Sequence, residues 1–122
     1  SVPTFYRRLL NLGPQQLSSL RNVRHFYTAG ERLPDAIALA WRDLVGKEIH
    51  SCYGMSESFA NALACFPGKQ PLGATGMLLG EVQARLLDAA GQEVGAGEPG
   101  VLWITTLQGD VRLRLHEADF TA

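Results

Sequence analysis

Two short segments combine glycine with residue types that can hold a nucleotide. They are residues 28–34 (TAGERLP) and residues 53–58 (YGMSES). Glycine lets a ligand approach the backbone closely, and an aromatic ring can stack on a flat base. A hydroxyl can reach a phosphate, and a carboxylate can hold a cation such as Mg²⁺. The residue types therefore favour binding of a nucleotide together with a metal ion.

The elements around these segments predict that they lie side by side. Residues 23–28 (VRHFYT) and 48–53 (EIHSCY) mix β-branched and aromatic side chains, which predicts two strands. Between them, Pro34 begins a predicted helix whose apolar residues recur at helical spacing, and Gly46 is its predicted C-cap. A strand–helix–strand order indicates parallel strands, whose carboxyl ends share one edge of the sheet.

The rest of the chain predicts two further helices and a change from mixed α/β structure to β-rich structure. Pro3 begins a short amphipathic helix with Phe5 on its apolar side, and Ser56 is a good N-cap for a helix over residues 56–63. Residues 66–80 predict a glycine-rich loop, and strands are predicted at 82–87 and 101–105. We therefore expect an α/β fold: a parallel βαβ sheet segment in residues 1–66, then a β-rich subdomain in residues 67–122.

Composition excludes several classes of partner. The 122 residues carry 11 basic and 12 acidic side chains, so no strong field attracts nucleic acid. No apolar stretch approaches the roughly 20 residues of a membrane span, and no targeting signal precedes the first helix. Cys52 and Cys65 lack zinc-site spacing and are too few for a disulfide framework, which favours reduced thiols and a cytoplasmic location.

At these segments the chain resembles the adenylate-forming superfamily of acyl-CoA ligases, aryl-CoA ligases, luciferases and peptide-synthetase adenylation domains. Residues 53–57 resemble its Y-G-x-T/S-E motif, and residues 29–31 resemble its G-G/A-E segment. Residues 73–76 (GATG) and 97–104 (GEPGVLWI) resemble two later motifs, in the same order. The resemblance covers nearly the whole chain and implies part of a ligase-like N-terminal domain.

The resemblance implies roles for individual residues. Tyr53 would stack on adenine, Ser56 would contact the phosphate, and Glu57 would help to bind Mg²⁺, which makes Ser56 and Glu57 the catalytic pair. The implied nucleotide-binding set is Ala29, Gly30, Glu31, Tyr53, Gly54, Met55 and Ser56. Met55 stands where peptide-synthetase domains usually have proline, which favours an apolar acyl or aryl acid.

The activity that the resemblance implies is that of an acid–CoA ligase. A carboxylic acid would attack the α-phosphate of ATP, pyrophosphate would leave, and the acyl group would pass from AMP to CoA. The implied cofactors are ATP or AMP, Mg²⁺ and CoA. Two alternatives stay open: a non-catalytic nucleotide-binding or interaction module of the same fold, and an adenylation domain that loads a carrier protein.

Several residues depart from the family pattern or have a simpler explanation. Gly80 and Glu81 replace the usual Pro-Gly. Asp110 follows Gly109 and resembles the aspartate of the family's ribose-binding T-G-D motif, but Gln108 stands where that motif has threonine. Since the chain opens without methionine and lacks the family's phosphate loop and later lysine, we expect an internal segment that is inactive alone.

Simpler roles remain open for four candidate residues. Tyr53 would pack on the sheet instead of on a ligand, and Glu57 would favour a helix start through the helix dipole. Glu31 would cap the helix that follows it. His50 would pack within its strand or, alternatively, flank the acyl pocket.

Overall fold

The computed structural model describes residues 1–56, 61–69, 71–106 and 109–112. Contacts group these residues into two compact units. The first unit is Ser1–Gly54 with Leu63–Met77, and the second is the described part of Met55–Ala62 and Leu78–Ala122. The predicted division after residue 66 stays a prediction. Within the described residues, no helix has both the length and the apolar character needed to span a membrane.

The helices of the first unit begin and end near their predicted signals. They are α1 (Pro3–Leu10), α2 (Pro14–Leu17), a short 3-10 helix (Ser18–Asn22) and α3 (Asp35–Val45). Gly46 ends α3 in the left-handed region at φ 77°, where its amide donates to the Arg42 carbonyl over 2.8 Å, as predicted. Phe5, predicted on the apolar side of α1, is instead 48% exposed, and Tyr6 is the buried aromatic of that helix.

A four-stranded sheet carries the predicted strand–helix–strand unit. Its strands are β1 (Phe26–Thr28), β2 (Ile49–Gly54), β3 (Asn61–Ala64) and β4 (Met77–Leu78), and they lie in that order across the sheet. β1 and β2 run parallel, with α3 between them in the chain, which confirms the α/β prediction. β1 begins three residues later than the predicted strand at 23.

Aromatic side chains hold α1 and α3 against β1. Trp41 is fully buried, and the rings of Tyr6 and Phe26 meet it edge-on at 4.9 and 5.0 Å between centroids. The Tyr6 hydroxyl donates to the Tyr27 carbonyl over 2.7 Å, and burial raises the pKa of this phenol. Ile37, Val45 and Ile49 complete the core on the same face of the sheet. This packing fixes the position of the carboxyl end of β1 relative to α1 and α3.

The helix predicted over residues 56–63 is wrong at its carboxyl end. Asn61–Ala64 form strand β3, in which Ala62, Leu63 and Ala64 are all buried. The Cys65 amide donates to the Ser51 carbonyl over 2.8 Å, and the Leu79 amide donates to the Ala62 carbonyl over 2.9 Å. Alanine and leucine are among the best helix formers, but helix propensity is a weak preference that tertiary contacts override, so the partners on both sides decide the conformation. Residues 57–60 of that predicted helix lie outside the described residues.

The second unit contains an antiparallel sheet. Its strands are β5 (Gln83–Leu87), β6 (Val101–Thr106) and β7 (Gly109–Arg112), in that order. The predicted strands at 82–87 and 101–105 are confirmed to within one residue, whereas β7 was not predicted. Asp88 forms the predicted turn after β5, where its Oδ1 accepts hydrogen bonds from the Ala90 and Gln92 amides at 2.8 and 2.9 Å.

Candidate functional site

The register of β1 and β2 places the start of the first candidate loop beside the end of β2. Thr28 is the last residue of β1 and lies opposite Ser51, whereas β2 continues three residues further to Gly54. At strand rise, those three residues extend about 10 Å past the end of β1. The first loop, residues 28–34, therefore leaves the sheet beside the last residues of β2, which include Tyr53.

The backbone of the first loop depends on glycine. Gly30 has φ 88°, a conformation that other residues adopt only with strain. The Ala29 amide donates to the Ser1 carbonyl over 2.9 Å, which ties the start of the loop to the chain terminus. Ala29 is half-buried, and Glu31 is exposed beyond it. At Ala29 and Gly30 the loop thus presents backbone, with little side-chain bulk, at the carboxyl end of β1.

Residues 73–76, the glycine segment, border the first loop and the end of β3. A Cβ atom at Gly73 would lie 3.5 Å from Oδ1 of Asp35 and 3.8 Å from Nη2 of Arg32. A Cβ atom at Gly76, with φ 125°, would lie 2.4 Å from the carbonyl carbon of Ala64. The Cys65 thiol donates to the Ala74 carbonyl over 3.3 Å. Gly76 therefore serves close backbone packing in the first unit, whereas at Gly73 the positive φ of 83° is what favours glycine.

The end of β2 supplies the candidate aromatic residue. Tyr53 is half-buried, and burial raises the pKa of its hydroxyl, which stays protonated at neutral pH. Gly54 follows it as the last residue of the strand. Both belong to the first unit, together with Ala29, Gly30 and Glu31. The structure thus brings five of the seven predicted nucleotide-binding residues into one unit.

The remaining predicted site residues belong to the second unit or lie outside the described residues. Met55, half-buried, and Ser56, exposed, belong to the second unit. Glu57, the predicted metal ligand, lies outside the described residues. Its role in binding a metal ion therefore stays a prediction. Within the described part of the chain, no three His, Cys, Asp or Glu side chains form a cluster that could hold a metal ion. Asp110 lies in β7 opposite Thr105, and its ribose role stays untested.

The structure adds a residue that the sequence did not single out. Thr28 is 1% exposed, and its Oγ1 has no hydrogen-bond partner among the described residues. A buried hydroxyl without a partner is uncommon in folded proteins. The only sequence signal was its position, directly before Ala29 and Gly30 at the end of a predicted strand.

His50 is buried on the sheet face opposite the aromatic core. It is 6% exposed, and its ring lies 5.5 Å from that of Tyr27 and 6.3 Å from that of His25. Burial lowers the pKa of His50, and Glu48 raises it by a smaller amount. The predicted packing role is confirmed, and a role at an acyl pocket stays a prediction.

The two cysteines of the first unit are free thiols. Cys52 and Cys65 are half-buried, and burial raises the pKa of both. A raised pKa reduces the thiolate fraction and with it the reactivity of a cysteine. Neither thiol is therefore suited to act as a nucleophile.

Comparison with known protein families gives a match over most of the chain. Residues 1–108 match the family described as AMP-binding enzyme. That range includes the first loop, the end of β2, the glycine segment and most of the second unit. The match thus covers the implied nucleotide-binding set and Glu57, whereas Asp110 lies beyond it.

Two curated relatives are CoA ligases of aromatic acids. A 3-hydroxybenzoate/4-hydroxybenzoate–CoA ligase of Thauera aromatica is 35% identical over 105 residues, which are 85% of this chain and 20% of the relative. A 3-hydroxybenzoate–CoA ligase of Aromatoleum sp. (strain CIB) is 36% identical over 107 residues, which are 87% of this chain and 20% of the relative. The chain thus spans about a fifth of the length of these relatives.

Solved structures share the fold at similar coverage. An anthranilate CoA ligase in complex with anthranoyl-AMP superposes with a TM-score of 0.81 and 28% identity, over 90% of this chain and 21% of that one. A benzoate CoA ligase from Burkholderia xenovorans LB400 gives a TM-score of 0.77 and 29% identity, over 91% of this chain and 23% of that one.

Proposed function

Since the chain belongs to the family of AMP-binding enzymes, we propose that its protein activates a carboxylic acid with ATP and transfers the acyl group to CoA. The observation that carries this proposal is the β1–β2 register. It sets the glycine backbone of the first loop beside Tyr53 at the carboxyl edge of parallel strands. That edge is where α/β sheets bind nucleotides.

The proposed reaction has two steps. A carboxylate oxygen of the acid bonds to the α-phosphorus of ATP, and the bond from that phosphorus to the pyrophosphate oxygen breaks. The sulfur of the CoA thiolate then bonds to the acyl carbon, and the bond to AMP breaks, so AMP leaves with its oxygen. Catalysis of such steps depends on positioning and on stabilising charge at the phosphate.

Each of the five candidate residues in the first unit has a part in positioning the nucleotide or the acyl group. The ring of Tyr53 stacks on adenine, and its protonated hydroxyl keeps the ring neutral. Ala29 and Gly30 present backbone along the nucleotide and the acyl group, because a side chain at position 30 would disfavour the observed φ. Glu31 and Gly54 border the same edge.

The phosphate and metal contacts come from the residues after β2. The hydroxyl of Ser56 donates to the phosphate, and Met55 borders the acyl group. A carboxylate is a hard oxygen ligand suited to Mg²⁺, so Glu57 would hold that ion. When bound, Mg²⁺ neutralises charge on the phosphates.

The acid that we propose is aromatic. The support is the similarity to hydroxybenzoate–CoA ligases and to a ligase solved with anthranoyl-AMP. We propose CoA as acceptor, in preference to a carrier protein, because these relatives are CoA ligases. The free cysteines agree with a reducing, cytoplasmic location. The 122 residues alone, about a fifth of such a relative, would not perform the reaction.

An exchange assay on the full-length protein tests this proposal. Benzoate, 3-hydroxybenzoate, 4-hydroxybenzoate and anthranilate are offered with ATP, Mg²⁺ and labelled pyrophosphate, with octanoate as the non-aromatic control. We expect label to enter ATP with at least one aromatic acid, and an aryl-CoA thioester to form after CoA is added. ATP binding without exchange for any acid would instead identify a non-catalytic nucleotide-binding module.

A further inference from the structure

We propose that Thr28 is a positioning residue for the nucleotide, whose hydroxyl gains a hydrogen bond to the Ser51 hydroxyl when ATP binds against the first loop. This inference rests on the proposed function, since it assigns a further residue to the same site. Its starting point is the buried Oγ1 of Thr28, which lacks a partner among the described residues.

Ser51 is the hydroxyl-bearing residue directly opposite Thr28 in the sheet. The two residues are register partners in parallel strands, so their side chains leave the same face of the sheet. Adjacent strands lie about 4.8 Å apart, so a hydroxyl–hydroxyl bond between them requires both rotation of one side chain and a small shift of the end of β1. Threonine is restricted at χ1, whereas serine rotates freely, so Ser51 makes the adjustment.

Both residues lie one or two positions before proposed ligand-binding residues. Thr28 is followed by Ala29 and Gly30, and Ser51 precedes Tyr53 by two residues. A ligand held between the first loop and Tyr53 pulls on the ends of β1 and β2 together. The two hydroxyls lie in the sheet next to this proposed ligand position. A small shift of the first loop brings them close enough to form their hydrogen bond.

Thr28 acts through the loop and not on the ligand itself. Its side chain is on the face that carries Phe26 and the aromatic core, and Oγ1 has almost no contact with solvent. The unmet hydrogen bond disfavours the ligand-free arrangement, because a buried polar group without a partner destabilises the state that contains it. Binding of ATP removes that penalty, so the hydroxyl contributes to affinity.

The test compares Thr28→Val, Thr28→Ser and Ser51→Ala in the full-length protein. Valine has the shape of threonine without the hydroxyl, and serine restores the hydroxyl. We expect Thr28→Val to melt at a higher temperature than wild type without ligand, and to raise KM for ATP about 3- to 10-fold with little change in kcat. Thr28→Ser should keep the wild-type KM.

Ser51→Ala should raise KM for ATP to a similar degree. The Thr28→Val/Ser51→Ala double variant should have a KM for ATP no higher than that of either single variant, because each substitution removes the same hydrogen bond. A purely structural threonine would change stability and leave KM unmoved. Thr28→Val with unchanged KM, or with a lower melting temperature without ligand, overturns the inference while wild-type exchange still supports the ligase. A wild type whose melting temperature ATP does not raise overturns both.

Discussion

Gly76 packs directly on the backbone of Ala64, so closely that a Cβ atom would lie 2.5 Å from the Ala64 oxygen and 2.8 Å from the Cys65 nitrogen. The φ of 125° adds a second requirement for glycine. This contact sets the glycine segment against the end of β3, beside the hydrogen bond from Cys65 to Ala74. The glycine segment therefore owes its position to backbone packing.

Gly76→Ala should destabilise the protein more than Gly80→Ala. Gly80 also has a positive φ, 56°, but among the described residues no atom beyond its own chain neighbours lies within 4 Å of its Cβ position. The control should cost about 1–2 kcal/mol for the backbone conformation alone. The clash should add about 1–3 kcal/mol at position 76. Denaturant unfolding of the full-length protein measures both, and equal losses would show that the packing against Ala64 is not restrictive.

His50 should make the fold sensitive to mild acid. Burial lowers its pKa below the ordinary 6.5, so the unfolded chain binds the proton more readily than the folded one. Stability is therefore fully present above the unfolded pKa and declines as pH falls below about 6.5 towards the lowered folded pKa. The neighbouring groups are Glu48, which opposes the shift, and His25, which reinforces it.

His50→Gln should flatten the dependence of melting temperature on pH between about 5 and 6.5. His25→Gln is the matched control, because His25 belongs to the same ring cluster but is exposed. It should leave most of the slope in place. A wild-type melting temperature that is constant across this range would contradict a buried, neutral His50.

Glu57→Gln should slow formation of the adenylate by roughly 10²-fold or more, the scale of losing one charge-stabilising contact. The amide cannot hold Mg²⁺ as a carboxylate does, so a higher Mg²⁺ concentration should be needed for half-maximal exchange. Exchange kinetics measure this step alone. Thioester formation from synthetic acyl-adenylate should suffer less, and equal loss in both steps would indicate a folding role for Glu57.

The β1–α3–β2 unit could be predicted because its signals are local. Pro34 marks the start of α3, Gly46 its end, and the β-branched and aromatic runs mark the strands on either side. The strand–helix–strand order predicted the parallel pairing of β1 and β2, and with it the position of the first loop beside the end of β2. These are the parts of the site that propensity and spacing determine.

Other parts depend on neighbours that the sequence does not reveal. Tyr6, one residue from the expected Phe5, takes the buried place because its ring meets Trp41 and its hydroxyl reaches the Tyr27 carbonyl. β3 is a strand because hydrogen bonds to Ser51 and Leu79 override helix-favouring alanines. The unpaired hydroxyl of Thr28 is likewise a property of packing alone.

The central claim is that a nucleotide binds at the carboxyl edge of β1 and β2, and the ring of Tyr53 tests it most directly. If the ring stacks on adenine, Tyr53→Phe should keep KM for ATP within a few-fold of wild type. Tyr53→Ala should raise it roughly 5- to 100-fold, because stacking on a base contributes about 1–3 kcal/mol. Steady-state exchange kinetics and the melting temperature of each variant are measured together. A stably folded Tyr53→Ala protein with the wild-type KM for ATP would remove Tyr53 from the site and contradict the placement of the nucleotide.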